Sequence, residues 1–79
     1  MTIMPLSPLM RYYYKKEYFS KDGQSYISYS ILIREKFKVV KYVPDVFSNK
    51  ADAKKFVALC NKYRLSPIHV DDLIEDFYV

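Results

Sequence analysis

Few side chains in this chain are able to do chemistry. His69 is its only histidine and Cys60 its only cysteine. Asp72 follows His69 by three residues, which on a helix sets an imidazole and a carboxylate on one face, as a general base with an orienting partner would require. Such a base also needs a nucleophile or a substrate cleft beside it. The thiol does not supply one, because Cys60 recurs at helical spacing with Phe56 and Val57 and reads as a buried, inert packing group. His69 then reads as a first-turn residue of a capped helix, and no catalytic residue is assigned.

Asp71, Asp72, Glu75 and Asp76 offer oxygen ligands to a hard cation. Ligands strung along one straight helix cannot surround an ion, and calcium loops bend at a glycine. These four residues therefore read as an acidic helix face. One cysteine and one histidine leave no zinc spacing, so no metal, cofactor or small-molecule substrate is expected. Two short helices in succession also suggest a helix-turn-helix. A recognition helix with four acids and no Lys or Arg would repel the phosphates whose neutralisation drives DNA binding, which removes that reading.

The elements that position these residues follow from periodicity. Tyr12–Phe19 is dense in aromatics, and Ser25–Arg34 alternates, with Ile27, Tyr29, Ile31 and Ile33 on one side and Tyr26, Ser28, Ser30 and Arg34 on the other. Both are strands, joined through Asp22-Gly23, which contains the only glycine and suits a tight hairpin. A third strand is predicted from Phe37 to about Val43 after a turn at Glu35-Lys36. Pro44 lacks an N–H, so the chain must leave the sheet there or continue only as an edge.

Ser48 or Asn49 caps a helix running to about Arg64, with Ala53, Phe56, Val57, Cys60 and Tyr63 on its apolar face. Ser66 caps a second helix with Pro67 at its first position, where the missing N–H costs nothing. Val70, Leu73, Ile74 and Phe77 form its apolar stripe. The predicted fold class is α+β, a three-stranded antiparallel β-meander followed by two helices packed on one face (βββαα). Residues 1–10 form an apolar, Pro-containing N-terminal segment, and residues 11–79 a single domain.

Leu59-Cys60-Asn61, Leu65-Ser66-Pro67-Ile68-His69-Val70, Asp72 and Glu75-Asp76-Phe77 together resemble the C-terminal signature of a family of small bacterial proteins classed as a domain of unknown function. The resemblance covers roughly residues 18–78. Its motifs are capping and packing residues, so it implies a fold and carries over no activity or site residue.

Charge is divided along the chain. Up to Arg64 there are thirteen basic residues against five acids, a net +8, while the remainder holds four acids and no Lys or Arg, a net −4. Such asymmetry marks an interaction surface or a tail attracted to its own body. With a single cysteine, no basic leader before the apolar N-terminal residues, and no apolar run near the roughly 20 residues that span a bilayer, the expected location is cytoplasmic and no membrane partner is expected.

With helices on one side only, the second face of a three-stranded sheet must be satisfied by something else. Alternation assigns to that face Tyr12, Tyr14, Lys16 and Tyr18 of the first strand, beside Tyr26 and Arg34 of the second. Tyr and Arg are enriched at the energetic centres of interfaces. The expected function is a small non-catalytic protein-interaction or regulatory module, an adaptor or an inhibitor, with a protein partner or a second copy as its occupant. The same aromatic and basic face keeps a second reading open, single-stranded nucleic-acid binding by base stacking.

Overall fold

The computed structural model describes residues 10–77. Three antiparallel strands, β1 (Met10–Lys21), β2 (Gln24–Glu35) and β3 (Lys38–Phe47), form one sheet with β2 in the middle. Helix α1 (Lys50–Tyr63) follows, and a 3₁₀ turn at Pro67–His69 leads into α2 (Val70–Phe77). This is the predicted βββαα order. Of the N-terminal segment, residues 1–9 lie outside the described residues, and Met10 opens β1.

Local chemistry explains each junction. Asp22 and Gly23 both take left-handed φ values, 53° and 78°, as a two-residue hairpin loop matched to sheet twist demands. The second hairpin also has a two-residue loop, since Glu35 pairs with Lys38, and here Lys36 takes φ 57° without help from glycine. Asn49 caps α1, its side chain accepting the Asp52 N–H at 2.8 Å. Arg64 closes the helix in the left-handed conformation and donates its N–H to the Cys60 carbonyl. Ser66 caps the next turn through Ile68 N–H at 3.3 Å, with Pro67 at the start.

The strand β3 runs past Pro44 as an edge, pairing Phe47 with Tyr29. It does so irregularly. Val43 faces Ile31 and Phe47 faces Tyr29, so more residues lie on β3 than on β2 across that interval, and Asp45 takes φ 55° within it.

Tyr12, Ile31, Ile33, Phe47, Ala53, Phe56, Cys60 and Val70 form the buried core. Phe47, Phe56 and Phe77 pack as a ring triad with centroids 5.2–5.7 Å apart, and Tyr12 meets Phe56 edge-on at 6.4 Å. Tyr63, expected on the apolar face of α1, is 61% exposed. It falls in the last turn, where the chain leaves the sheet, and Lys62 Nζ lies 5.3 Å from its ring centroid.

The register overturns one expectation. Tyr12 pairs with Ile33, Tyr14 with Ile31, Lys16 with Tyr29 and Tyr18 with Ile27. Directly opposed residues share a face, so Tyr12, Tyr14, Lys16 and Tyr18 lie on the helix side and not beside Tyr26 and Arg34. Tyr12 is a core residue, 1% exposed. Its hydroxyl donates to the Leu65 carbonyl at 2.9 Å. The signal that assigns this parity is in the sequence: a two-residue Asp-Gly loop puts Lys21 opposite Gln24, and counting back sets Tyr18 against Ile27.

The far end of the hairpin extends beyond the helices. A 12-residue strand reaches about 40 Å and a 14-residue helix about 21 Å. Tyr18 is accordingly 74% exposed although it lies on the helix side.

Candidate interaction surface

The face of the sheet opposite the helices is built from the alternate residues of all three strands. At one end Arg11 of β1 pairs directly with Arg34 of β2. Next come Tyr13, Leu32 and Tyr42, one from each strand and mutually paired across the sheet. Tyr13 and Tyr42 stay exposed, at 44% and 46%. Lys15 and Ser30 follow, then Glu17 and Ser28, and Phe19 stacks on Tyr26 with ring centroids 5.7 Å apart. Of the six residues expected to form the interaction surface, Tyr26 and Arg34 occupy this face. Its β1 members are Arg11, Tyr13, Lys15, Glu17 and Phe19, missed because the expected parity was displaced by one residue.

A hydrogen-bonded network crosses the strands near the hairpin end. Glu17 Oε1 accepts the Ser30 hydroxyl at 2.5 Å and the Tyr42 hydroxyl. Ser30 Oγ in turn accepts the Asp45 N–H at 3.2 Å, and the Tyr26 hydroxyl donates to Asp45 Oδ2 at 2.5 Å. Ser28 Oγ donates to the Phe47 carbonyl at 3.0 Å. The left-handed backbone at Asp45 aims both its N–H and its carboxylate at β2. Ser28 and Ser30 are thereby buried on a face that alternation alone marks as open to solvent.

These bonds fix protonation. Hydrogen bonds from Ser30 and then Tyr42 hold the Glu17 carboxyl below its usual range. The neighbouring Ser28 hydroxyl, and the Tyr26 hydroxyl that donates to Asp45, likewise hold the Asp45 carboxyl below its usual range. Conversely, the hydroxyls of Tyr26 and Tyr42 are pushed up by the hydrogen bonds they donate to Asp45 and Glu17. Both carboxylates are therefore charged at neutral pH. The face thus changes along its length, from an arginine pair at one end through the Tyr13–Leu32–Tyr42 row to Lys15 and the carboxylates, with the Phe19–Tyr26 stack beyond.

Arg11 and Arg34 are opposed across neighbouring strands with no carboxylate partner among the described residues. Directly opposed like charges destabilise a sheet. The ion pair found on this face is Lys15 Nζ with Glu17 Oε2 at 3.8 Å.

The remaining candidates lie elsewhere. Asp71, Asp72 and Glu75 line an open cleft between α2 and the Val43–Val46 stretch of β3. Asp76 borders a second, apolar cleft formed by Phe56, Leu59, Leu65, Leu73 and Phe77. The expected acidic face is thus split between two surroundings. Among the described residues no three His, Cys, Asp or Glu side chains gather as a metal site. His69 is exposed in the 3₁₀ turn. Cys60 is buried, and burial pushes its thiol up to about 12, which keeps it protonated and poorly nucleophilic. No helix among the described residues is long and apolar enough to cross a membrane.

Compared with known proteins, the chain has no significant match to a family model, to a curated protein or to a solved structure. The functional reading therefore rests on the surface itself.

Proposed function

We propose that this protein is a small non-catalytic interaction module, an adaptor or regulator, whose interface with a protein partner or a second copy is the helix-free face of its sheet. The observation that carries this reading is the Tyr13–Leu32–Tyr42 row, a strip crossing all three strands in which exposed Tyr13 and Tyr42 flank a half-buried Leu32. Arg11 and Arg34, with Val39 beside them, border it on one side, and Lys15, Ser30 and Glu17 on the other. An apolar centre with a polar rim is the anatomy of protein interfaces, and Tyr and Arg are the side chains that dominate their energetics. Two features support the non-catalytic part: the one thiol is buried and protonated, and His69 stands exposed in a turn. A free cysteine with no disulfide suits a reducing, cytoplasmic setting.

Single-stranded nucleic-acid binding draws support from Arg11, Lys15 and Arg34 beside Tyr13 and Tyr42. It is the weaker reading. Glu17 and Asp45 stay ionised on the same face and repel the phosphates whose neutralisation supplies most of that affinity.

The test is quantitative recovery of bound proteins on the immobilised chain, from nuclease-treated extract, with Tyr13→Asp and Leu32→Asp as comparisons. A partner recovered by the wild type and lost from both folded variants supports the reading. A partner retained by both, or recovery of nucleic acid alone before nuclease treatment, overturns it.

A further inference from the structure

The distribution of charge along this face selects its occupant, and we infer that it is a second copy of the chain, packed sheet on sheet with the strands of the two copies running in opposite directions. The inference rests on the reading of this face as an interface and names the partner. Arg11 and Arg34 lie level with each other at the start of β1 and the end of β2. Glu17 pairs with Ser28, and Asp45 reaches Ser30 and Tyr26 from the other side, so two carboxylates flank β2 about six residues further along. That separation is roughly 20 Å at strand rise. Between them lie the Tyr13–Leu32–Tyr42 row and then Lys15 with Ser30, Lys15 reaching the second carboxylate oxygen of Glu17 and leaving its other oxygen in the network.

A two-fold axis lying in the interface and perpendicular to the strands exchanges the two ends. It sets the arginine pair of each copy over the Glu17 and Asp45 carboxylates of the other, and the Tyr13–Leu32–Tyr42 row of each over the Lys15–Ser30 row of the other, so that the two apolar rows lie side by side across the axis. An isologous contact of this kind is closed and uses the same patch twice, and stacked sheets with nearly aligned strands pack at about 10 Å. It also resolves the opposed arginines, since each pair receives two carboxylates that hydrogen bonds already hold ionised and oriented. A copy packed with its strands in the same direction would set arginines on arginines, so the charge pattern specifies the orientation as well as the contact.

The experiment is light scattering coupled to size exclusion, backed by sedimentation equilibrium, on the wild type and two charge-reversed variants. One carries Arg11→Glu and Arg34→Glu, and the other Glu17→Lys and Asp45→Lys. The wild type is expected to be a dimer that weakens as salt rises. Each variant alone should dimerise about tenfold more weakly or worse, and mixing the two should restore a one-to-one heterodimer. Leu32→Arg, at the centre of the face and outside the carboxylate network, must also give monomers. It keeps the test decisive if circular dichroism shows the lysine variant to be unfolded. A wild-type monomer at the highest concentration measurable, or a dimer that Leu32→Arg and the arginine variant leave intact, overturns the inference. A wild-type monomer whose partner recovery is still abolished by Tyr13→Asp overturns this inference alone and leaves the proposed function standing.

Discussion

The side-chain amide of Asn61 stands in for a further strand beside Tyr12: its Oδ1 accepts the Tyr12 N–H at 2.8 Å and its Nδ2 donates to the Tyr12 carbonyl at 3.1 Å. β1 is an edge strand, and an unpaired edge is a template for unwanted pairing. By borrowing one amide from α1, the fold satisfies the outward backbone groups where the edge meets the core. The same contact locks α1 to the sheet. Replacing Asn61 by Leu should destabilise the protein by roughly 1–3 kcal/mol, the range for leaving buried polar groups unpaired. The urea midpoint reads this directly, and a midpoint equal to the wild type's would show that the contact carries no stability.

The two hairpin loops make opposite predictions. Gly23 at φ 78° has nothing within 4 Å of the position a Cβ would occupy, so Gly23→Val meets backbone strain alone and should cost about 1–2 kcal/mol. Lys36 already bears such strain at φ 57°. Lys36→Gly should therefore raise stability by a few tenths to about 1 kcal/mol, the relief exceeding the added flexibility of the unfolded chain. Thermal and urea denaturation of both variants check the pair, and a destabilised Lys36→Gly would refute the argument.

Acid should loosen the outer-face network. Glu17 and Asp45 have folded-state pKa values below their unfolded ones. The stability they contribute is present above the unfolded carboxylate range near pH 4 and is lost as pH falls through the folded values. Glu17→Gln should flatten the acid limb of the stability–pH curve while leaving the ring triad of the core intact by near-ultraviolet circular dichroism. An acid limb identical to that of the wild type would mean that the network contributes nothing.

Cys60 and Tyr12 work in the alkaline direction. Burial pushes the Cys60 thiol up to about 12 and raises the Tyr12 hydroxyl as well. Their contribution to stability is complete below the unfolded thiol value near 8.5 and declines as pH rises towards 12. At pH 8 a thiol-specific disulfide reagent should label Cys60 only at the rate of unfolding, measured by comparing labelling with and without urea. Immediate labelling of the native protein would show that the thiol is accessible.

Phe56 touches Tyr12, Phe47 and Phe77 and joins the sheet to both helices. Phe56→Ala should cost about 3–5 kcal/mol, a large fraction of the stability of so small a domain. The loss of near-ultraviolet signal and the denaturation midpoint report it together.

Strand and helix identities, the Asp22-Gly23 hairpin, the Asn49 and Ser66 caps and the apolar stripe of α2 were legible in the residues, because each depends on chemistry within a few positions of itself. The parity of β1 was harder to read, since aromatic residues occupy both of its faces: Tyr12, Tyr14 and Tyr18 on one, Tyr13 and Phe19 on the other. Periodicity cannot choose between two sets that both carry aromatic residues, and the pairing imposed by the Asp22-Gly23 hairpin does so. The path of β3 was legible only in part: Pro44 allowed it to continue as an edge, but the left-handed Asp45 brings in residues that no alternation rule counts. What the sequence by itself determined was thus the βββαα order and the location of its turns. Tertiary structure decided how far the hairpin outran its helices and the meeting of Glu17, Ser30, Tyr42 and Asp45. These groups come from three strands, and their contact depends on register and bulge geometry, which are set by the packing of the whole sheet.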